Sequence, residues 1–255
     1  MEQMNYTLGR GELYFNKFKT GTQTGIGERY FGNTPEVNTS VESENLDHFN
    51  SDRGVREKDA SVVLQTNRTG NFMTDHISPE NIALFYLGSV SALTVTAATG
   101  VTQTFAEVTP GFFYQLGESQ ANPTGARNVT NVIVKDAAAP NTTYALGTDY
   151  MLNPELGRVE VLAGGGIAKG TDITVTYDEP AGTKEVIVSG STAVEGSLRY
   201  VAQNPVGDQI DYFWPWVKIT PNGDFALKGD EWQQIPFTIE ILRRQGYEAV
   251  YATKR

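Results

Sequence analysis

The groups in this 255-residue chain that could do chemistry are few. Cysteine is absent, which removes thiolate nucleophiles, cysteine metal sites and disulfides together. The two histidines, His48 and His76, fall in no H-E-x-x-H pattern and form no pair at metal-ligand spacing. Ser191, in "GSTAVEG", lacks the flanking glycines of a nucleophile elbow. The stretch "AGGGIAKGT" (163–171) is glycine-rich, but Lys169 precedes Gly170, and neither phosphate-binding glycine pattern fits, so it reads as a hairpin loop. Carboxylates remain, because two of them suffice for glycoside hydrolysis. Glu42, Glu44 and Asp47 cluster, as do Asp230 and Glu231. The first group starts on the polar face of a strand and the second sits in a turn before Trp232, so both read as solvated. The expectation is a protein that is not an enzyme and uses no cofactor and no metal.

Composition points the same way. A net charge of −10 opposes a protein that grips nucleic acid, because that affinity comes from clustered Lys and Arg. No apolar run approaches the length of a membrane span, and "MEQMNYTLGRGELYF" has neither the basic nor the apolar region of a signal peptide. The chain is therefore expected to be soluble, made in the cytosol and without a membrane partner.

The elements that would position side chains have a period of two. "EVNTSVESE" (36–44) alternates Val37, Thr39, Val41 and Ser43 against Glu36, Asn38, Ser40, Glu42 and Glu44. "DASVVLQTN" (59–67) predicts a half-buried antiparallel strand, with Val63 alone out of pattern. Between them "ESENLDHFNSDRGVREKD" (42–58) shows no clear period and reads as a long loop. One short helix is marked in "HISPENIALFYLGS": Ser78 caps, Pro79 opens, Glu80 favours the positive end of the dipole, and Gly88 supplies the left-handed stop. Ile82, Phe85 and Leu87 belong to its apolar packing surface.

From about 89 to 182 the texture turns to Ala, Thr, Gly and Val, with short strands around Val132 and Val134, Val159 and Val161, and Ile173, Val175 and Tyr177. This predicts an inserted β-sandwich-like module at 89–182, within a discontinuous domain formed by 1–88 and 183–255. Each part carries a net −5. A closing meander follows, with corners at "NPVGD" and "TPNGD". "NGDFALKGDEWQQIPFTIEIL" (222–242) reads as a turn, a short strand, a second turn and a final strand. Trp214 and Trp216 are expected on one face across Pro215, which marks a sheet edge or a bulge. The fold class is all-β with one short α-helix.

Two blocks in this order, "NTPEVNTSVESENLDHFNSDRGVREKDASVVLQTNRTGNFMTDHISPENIALFYLGS" (33–89) and "GSLRYVAQNPVGDQIDYFWPWVKITPNGDFALKGDEWQQIPFTIEIL" (196–242), resemble the major tail tube protein of long-tailed bacteriophages. The resemblance covers roughly half the chain, and the 89–182 stretch has no counterpart in the smallest tube proteins.

The resemblance implies a non-enzymatic virion subunit, assembled in the bacterial host cytoplasm and resident in the tail. Its β-sandwich or partial barrel closes with five other copies into a shared hexameric β-barrel. Rings stack into a hollow tube through which double-stranded DNA passes without specific binding, with tape measure, tail terminator and distal tail proteins as partners. Closure of this kind removes exposed sheet edges. With about four strands from each copy at ~4.8 Å spacing the circumference is ~115 Å and the diameter ~37 Å before tilt. The inserted module is expected on the outer surface. Glu36, Asn38, Ser40, Glu42, Thr238 and Glu240 are the candidates for the lumen, because they occupy polar strand faces whose reverse looks buried. By resemblance the 42–58 loop reaches the adjacent ring, where Asp47, Phe49, Arg53 and Arg56 pair with another subunit. The basic end "RRQGYEAVYATKR" is expected to meet an acidic patch on a neighbour or to stay solvated. Two other classes fit the same composition: a carbohydrate-binding sandwich using Tyr212, Trp214 and Trp216, and a glycoside hydrolase.

Overall fold

A computed structural model describes residues 6–52, 54–139 and 142–255. In chain order its strands are β1 (Gly11–Lys17), β2 (Arg29–Tyr30), β3 (Glu36–Asn50) and β4 (Glu57–Thr74), then helix α1 (Pro79–Phe85). They continue as β5 (Ser89–Val95), β6 (Ala98–Val108), β7 (Phe113–Gln115), β8 (Thr130–Asp136), β9 (Tyr150–Asn153), β10 (Arg158–Val161), β11 (Thr171–Glu179) and β12 (Gly182–Val188). The last four are β13 (Val194–Ala202), β14 (Ile210–Pro221), β15 (Ile235–Ile241) and β16 (Tyr251–Lys254). The protein is all-β with one short helix and several sheets, and no sheet of the described residues closes into a barrel.

The chain divides into two compact units, one holding the residues up to Ser91 with Ile187–Arg255, the other Ala92–Val186. The sequence placed these boundaries at 88/89 and 182/183. The two crossings, β5 and β12, pair as a ribbon of their own.

The first unit is an eight-stranded antiparallel sheet ordered β2-β1-β13-β14-β15-β4-β3, with β16 paired to β14. One face of it carries the core: Leu13 and Phe15 of β1, Phe72 of β4, Leu198 of β13, Val217 and Ile219 of β14, and Phe237 and Ile239 of β15. Strict alternation in β15 makes this possible, because Ile235, Phe237, Ile239 and Ile241 all turn inward. Phe31 stacks among them, 4.8 Å from Phe72 and 6.2 Å from Phe237 between ring centroids.

Helix α1 covers part of that core with Leu84, and with Ile82 and Phe85 partly buried against it. Its start is as the sequence reads: the Asn81 backbone N–H donates to the Ser78 hydroxyl at 3.2 Å. Its end differs. The left-handed residue is Leu87, with φ 54°, while Gly88 donates its N–H to the Ala83 carbonyl at 2.7 Å and Leu87 donates to Leu84 at 3.1 Å. These are the two bonds of a Schellman stop. Gly88 is required for a different reason, because a Cβ there would lie 1.9 Å from the Val188 carbonyl oxygen. Leu87, expected to pack with Ile82 and Phe85, stands beyond the helix and outside the core cluster. The helix is held instead by buried Asn81, whose Nδ2 donates to the carbonyls of Phe31 (2.9 Å) and His76 (2.8 Å). Its Oδ1 accepts from Arg29 at 2.8 Å.

The second unit is a small sandwich of two three-stranded sheets, β6-β11-β8 and β7-β10-β9. Val134, Val159, Val161, Ile173, Val175 and Tyr177 share one buried cluster. The glycine stretch 163–171 links β10 to β11 with Ile167 buried in that cluster. The Gly166 N–H donates to Asp149 Oδ1 at 2.7 Å, so the chain's own carboxylate occupies the turn.

Three further sequence expectations are corrected. The 42–58 stretch is not a loop: β3 runs on to Asn50 and β4 begins at Glu57, leaving a short turn between them. The 59–67 strand is not half-buried, since all its residues are exposed. The short strand expected inside 222–234 does not form.

Candidate functional site

The ladder registers bring the expected lumen residues onto one sheet face. Directly opposed residues in an antiparallel pair share a face. One row runs Thr220–Thr238–Asn71–Asn38 across β14, β15, β4 and β3, and the next runs Glu195–Lys218–Glu240–Thr69–Ser40 from β13 to β3. Glu36 stands opposite Met73 and Glu42 opposite Asn67 on the same side. Glu36, Asn38, Ser40, Glu42, Thr238 and Glu240 are thus neighbours on the face opposite the Phe72–Phe237–Ile239 core.

The chemistry of this face is polar and negative. Asn38 Nδ2 donates to Glu36 Oε1 at 2.5 Å and to Asn71 Oδ1 at 3.1 Å. Lys218, the one cation of these two rows, lies 4.0 Å from Glu240, and Trp216 Nε1 donates to Glu195 at 3.1 Å. Threonine and carboxylate groups also line an open groove of about 910 Å³ that includes Glu42, Thr69, Thr220, Thr238 and Glu240, with Arg68 and Arg243 beside them.

The reverse of β3 is covered only where it begins. Val37 packs on the core, but from Asn38 to Asn50 every residue is exposed, as is β4 from Glu57 to Asn67. These segments form a two-stranded ribbon that leaves the body of the sheet. Fifteen residues at ~3.3 Å make β3 about 50 Å long. Register shifts between Glu44 and Asn45 and between His48 and Phe49 bend it.

Along this ribbon the described residues expected to reach another subunit are engaged within their own chain. Asp47 accepts from Lys58 Nζ and from Ser61 Oγ, both at 2.6 Å, and these bonds, Lys58 first, hold its carboxyl below its ordinary range. The Arg56 guanidinium lies 5.4 Å from the Phe49 ring centre. His48 Nδ1 meets Asp59 Oδ1 at 2.5 Å. Arg53 lies outside the described residues. The sequence reading missed the ribbon's exposed apolar side chains Val41, Leu46, Val55, Val62, Val63 and Leu64. The signal was present in the run Val62-Val63-Leu64, where alternation fails and neither face can be wholly polar.

The aromatic platform expected for sugar binding is not assembled. A register shift between Gly196 and Leu198 against β14 is a bulge at Pro215 and Trp216. It sends Trp214 inward, only 3% exposed, while Trp216 joins the polar face. The two were expected on one face. Among the described residues, no group of three or more His, Asp or Glu side chains is placed to hold a metal ion. No helix of the described residues is long and apolar enough to cross a membrane.

A search of curated proteins gives no match for this chain. A family model matches residues 6–248, almost the whole sequence, and the chain therefore belongs to the family described as Protein of unknown function UCP028589.

Proposed function

We propose that this chain is the subunit of a tubular homo-oligomer, the tail tube of a long-tailed phage, in which copies close a shared barrel and rings of copies stack. The observation that carries the reading is the β3–β4 ribbon. A two-stranded ribbon is marginal in water by itself, and this one exposes Leu46, Val62, Val63 and Leu64 on top of its unpaired outer edge. Such an element is a liability in a monomer and a joint in an assembly. Each apolar side chain covered by a neighbour contributes about 1.5–3 kcal/mol, so a few of them decide the association.

The polar face supports the same reading. Glu36, Glu42, Glu195 and Glu240 outnumber Lys218 in the ladder rows, and with Arg68 and Arg243 beside the groove the carboxylates still exceed the cations, which supports a surface that repels phosphates, as a conduit for double-stranded DNA requires. In the assembled tube this face lines the lumen and the ribbon bridges to the next ring.

Electron microscopy of the concentrated purified protein tests the proposal. Stacked rings or tubes with an open bore are expected. Dispersed single particles at all concentrations overturn it.

A further inference from the structure

Asn222 is the one asparagine of the chain that is followed by glycine. An Asn-Gly pair commonly forms the corner of a tight two-residue hairpin, where ladder bonds hold the backbone on both sides. Here it does not. β14 ends at Pro221, paired with Phe237, and β15 begins at Ile235, so Asn222 opens an irregular segment that runs to residue 234. Asn222 and Gly223 are both exposed.

Three features of this position bear on the reactivity of its amide. The Asn222 N–H donates to the Pro236 carbonyl at 3.1 Å, which fixes the backbone at residue 222 while the residue stays exposed. The Gly223 N–H donates to no acceptor among the described residues. Gly223 has φ 75°, and no heavy atom stands within 4 Å of where a Cβ would be, so nothing packs against the backbone that must turn. A glycine nitrogen also approaches a neighbouring carbonyl carbon without the hindrance of its own side chain.

We infer that Asn222 is a site of spontaneous covalent modification, at which the side-chain amide is lost through a cyclic imide. The Gly223 backbone nitrogen gives up its proton and attacks Asn222 Cγ. A bond forms between these two atoms, the Cγ–Nδ2 bond breaks, and Nδ2 takes up a proton and leaves as ammonia. Water then opens the ring. Addition at Cγ restores the ordinary main chain and leaves aspartate, whereas addition at the Asn222 backbone carbonyl leaves isoaspartate, with the main chain routed through Cβ. Either product replaces a neutral amide by a carboxylate and takes the net charge from −10 to −11, in a segment that already sets Asp224, Asp230 and Glu231 against Lys228. The iso product also inserts a methylene into the main chain at the residue whose N–H closes the β14–β15 hairpin on Pro236. The reaction consumes water alone, and it does not depend on how copies of the chain associate.

The purified protein, incubated at neutral and at mildly alkaline pH, is digested with trypsin, and the peptide 219–228 between Lys218 and Gly229 is followed by mass spectrometry. A growing fraction with an acid in place of the amide is expected, separating into two chromatographic forms and accumulating faster at the higher pH. Asn222→Gln is expected to abolish the change. Gly223→Ala is expected to slow it about tenfold or more, because a methyl group on the attacking residue obstructs ring closure. That variant also places a side chain at a positive φ, so its melting temperature is measured first, and Asn222→Gln carries the comparison if it does not fold. A folded wild-type protein that keeps the amide at both pH values, or loses it only after denaturation, overturns the inference. So does a folded Gly223→Ala variant that reacts at the wild-type rate.

Discussion

Leu46 on β3 and Val62 on β4 stand directly opposite each other, and both are more than 60% exposed. Cross-strand apolar pairs normally stabilise a sheet by covering a core. Here the pair lies beyond the core, on a ribbon whose faces are both open, so its contribution is available to a partner.

Replacing both by serine separates folding from assembly. The double variant Leu46→Ser/Val62→Ser loses no buried contact, so its stability is expected within about 0.5 kcal/mol of wild type. Assembly, measured by sedimentation at matched concentration, is expected to be abolished. Full assembly of the variant would show that the pair faces only water.

Reversing charge on the polar face tests what it does. Glu36→Lys with Glu42→Lys changes two exposed groups and is expected to leave rings and tubes intact. DNA ejection from particles carrying the variant should slow, and the variant tube should bind duplex DNA with an affinity that falls as salt rises. Ejection at the wild-type rate removes this face from the lumen.

The helix stop gives two substitutions of opposite sign. Leu87 holds a left-handed backbone with a side chain that resists it, so Leu87→Gly is expected to stabilise the protein, or at worst leave it unchanged, within about 1 kcal/mol. Gly88→Ala drives a Cβ into the Val188 carbonyl and is expected to lower the melting temperature by several degrees. Thermal melts of the two variants side by side check both signs.

Acid should weaken the inserted sandwich through three carboxylates. Asp136 is held low by the Ala139 N–H first, with the Tyr144 hydroxyl and the Ala138 N–H adding to it, Asp149 by the Ala145 and Gly166 N–H groups, and Asp178 by the Asn131 amide and the Gly100 N–H. Each folded pKa lies below its unfolded value, so each contributes stability above the ordinary carboxylate range and loses it as pH falls through the depressed folded value. The melting temperature is expected to be flat from neutrality to about pH 5 and to fall below about pH 4. Asp149→Asn should flatten that fall, and a profile identical to wild type would count against its role.

Local rules read from the sequence fared well where one residue answers to its immediate neighbours. Ser78 caps α1, Phe237, Ile239 and Ile241 of the closing strand alternate into the core, and strands of the inserted module fall on its valine pairs. The six candidate polar residues share a face because period two fixes the side of every residue once one is placed.

What the chain pattern alone determined is therefore an antiparallel β protein, with one capped helix and acidic strands. Only tertiary structure decided how far that pattern is buried. Alternation in 59–67 assigns two sides to the strand but not a sheet to cover either, and β3 and β4 outrun the body that covers their roots. The bulge at Pro215 flips Trp214 into the core because a single inserted residue inverts the side of all that precede it, and position 88 requires glycine because its backbone comes up against Val188, a residue a hundred positions away.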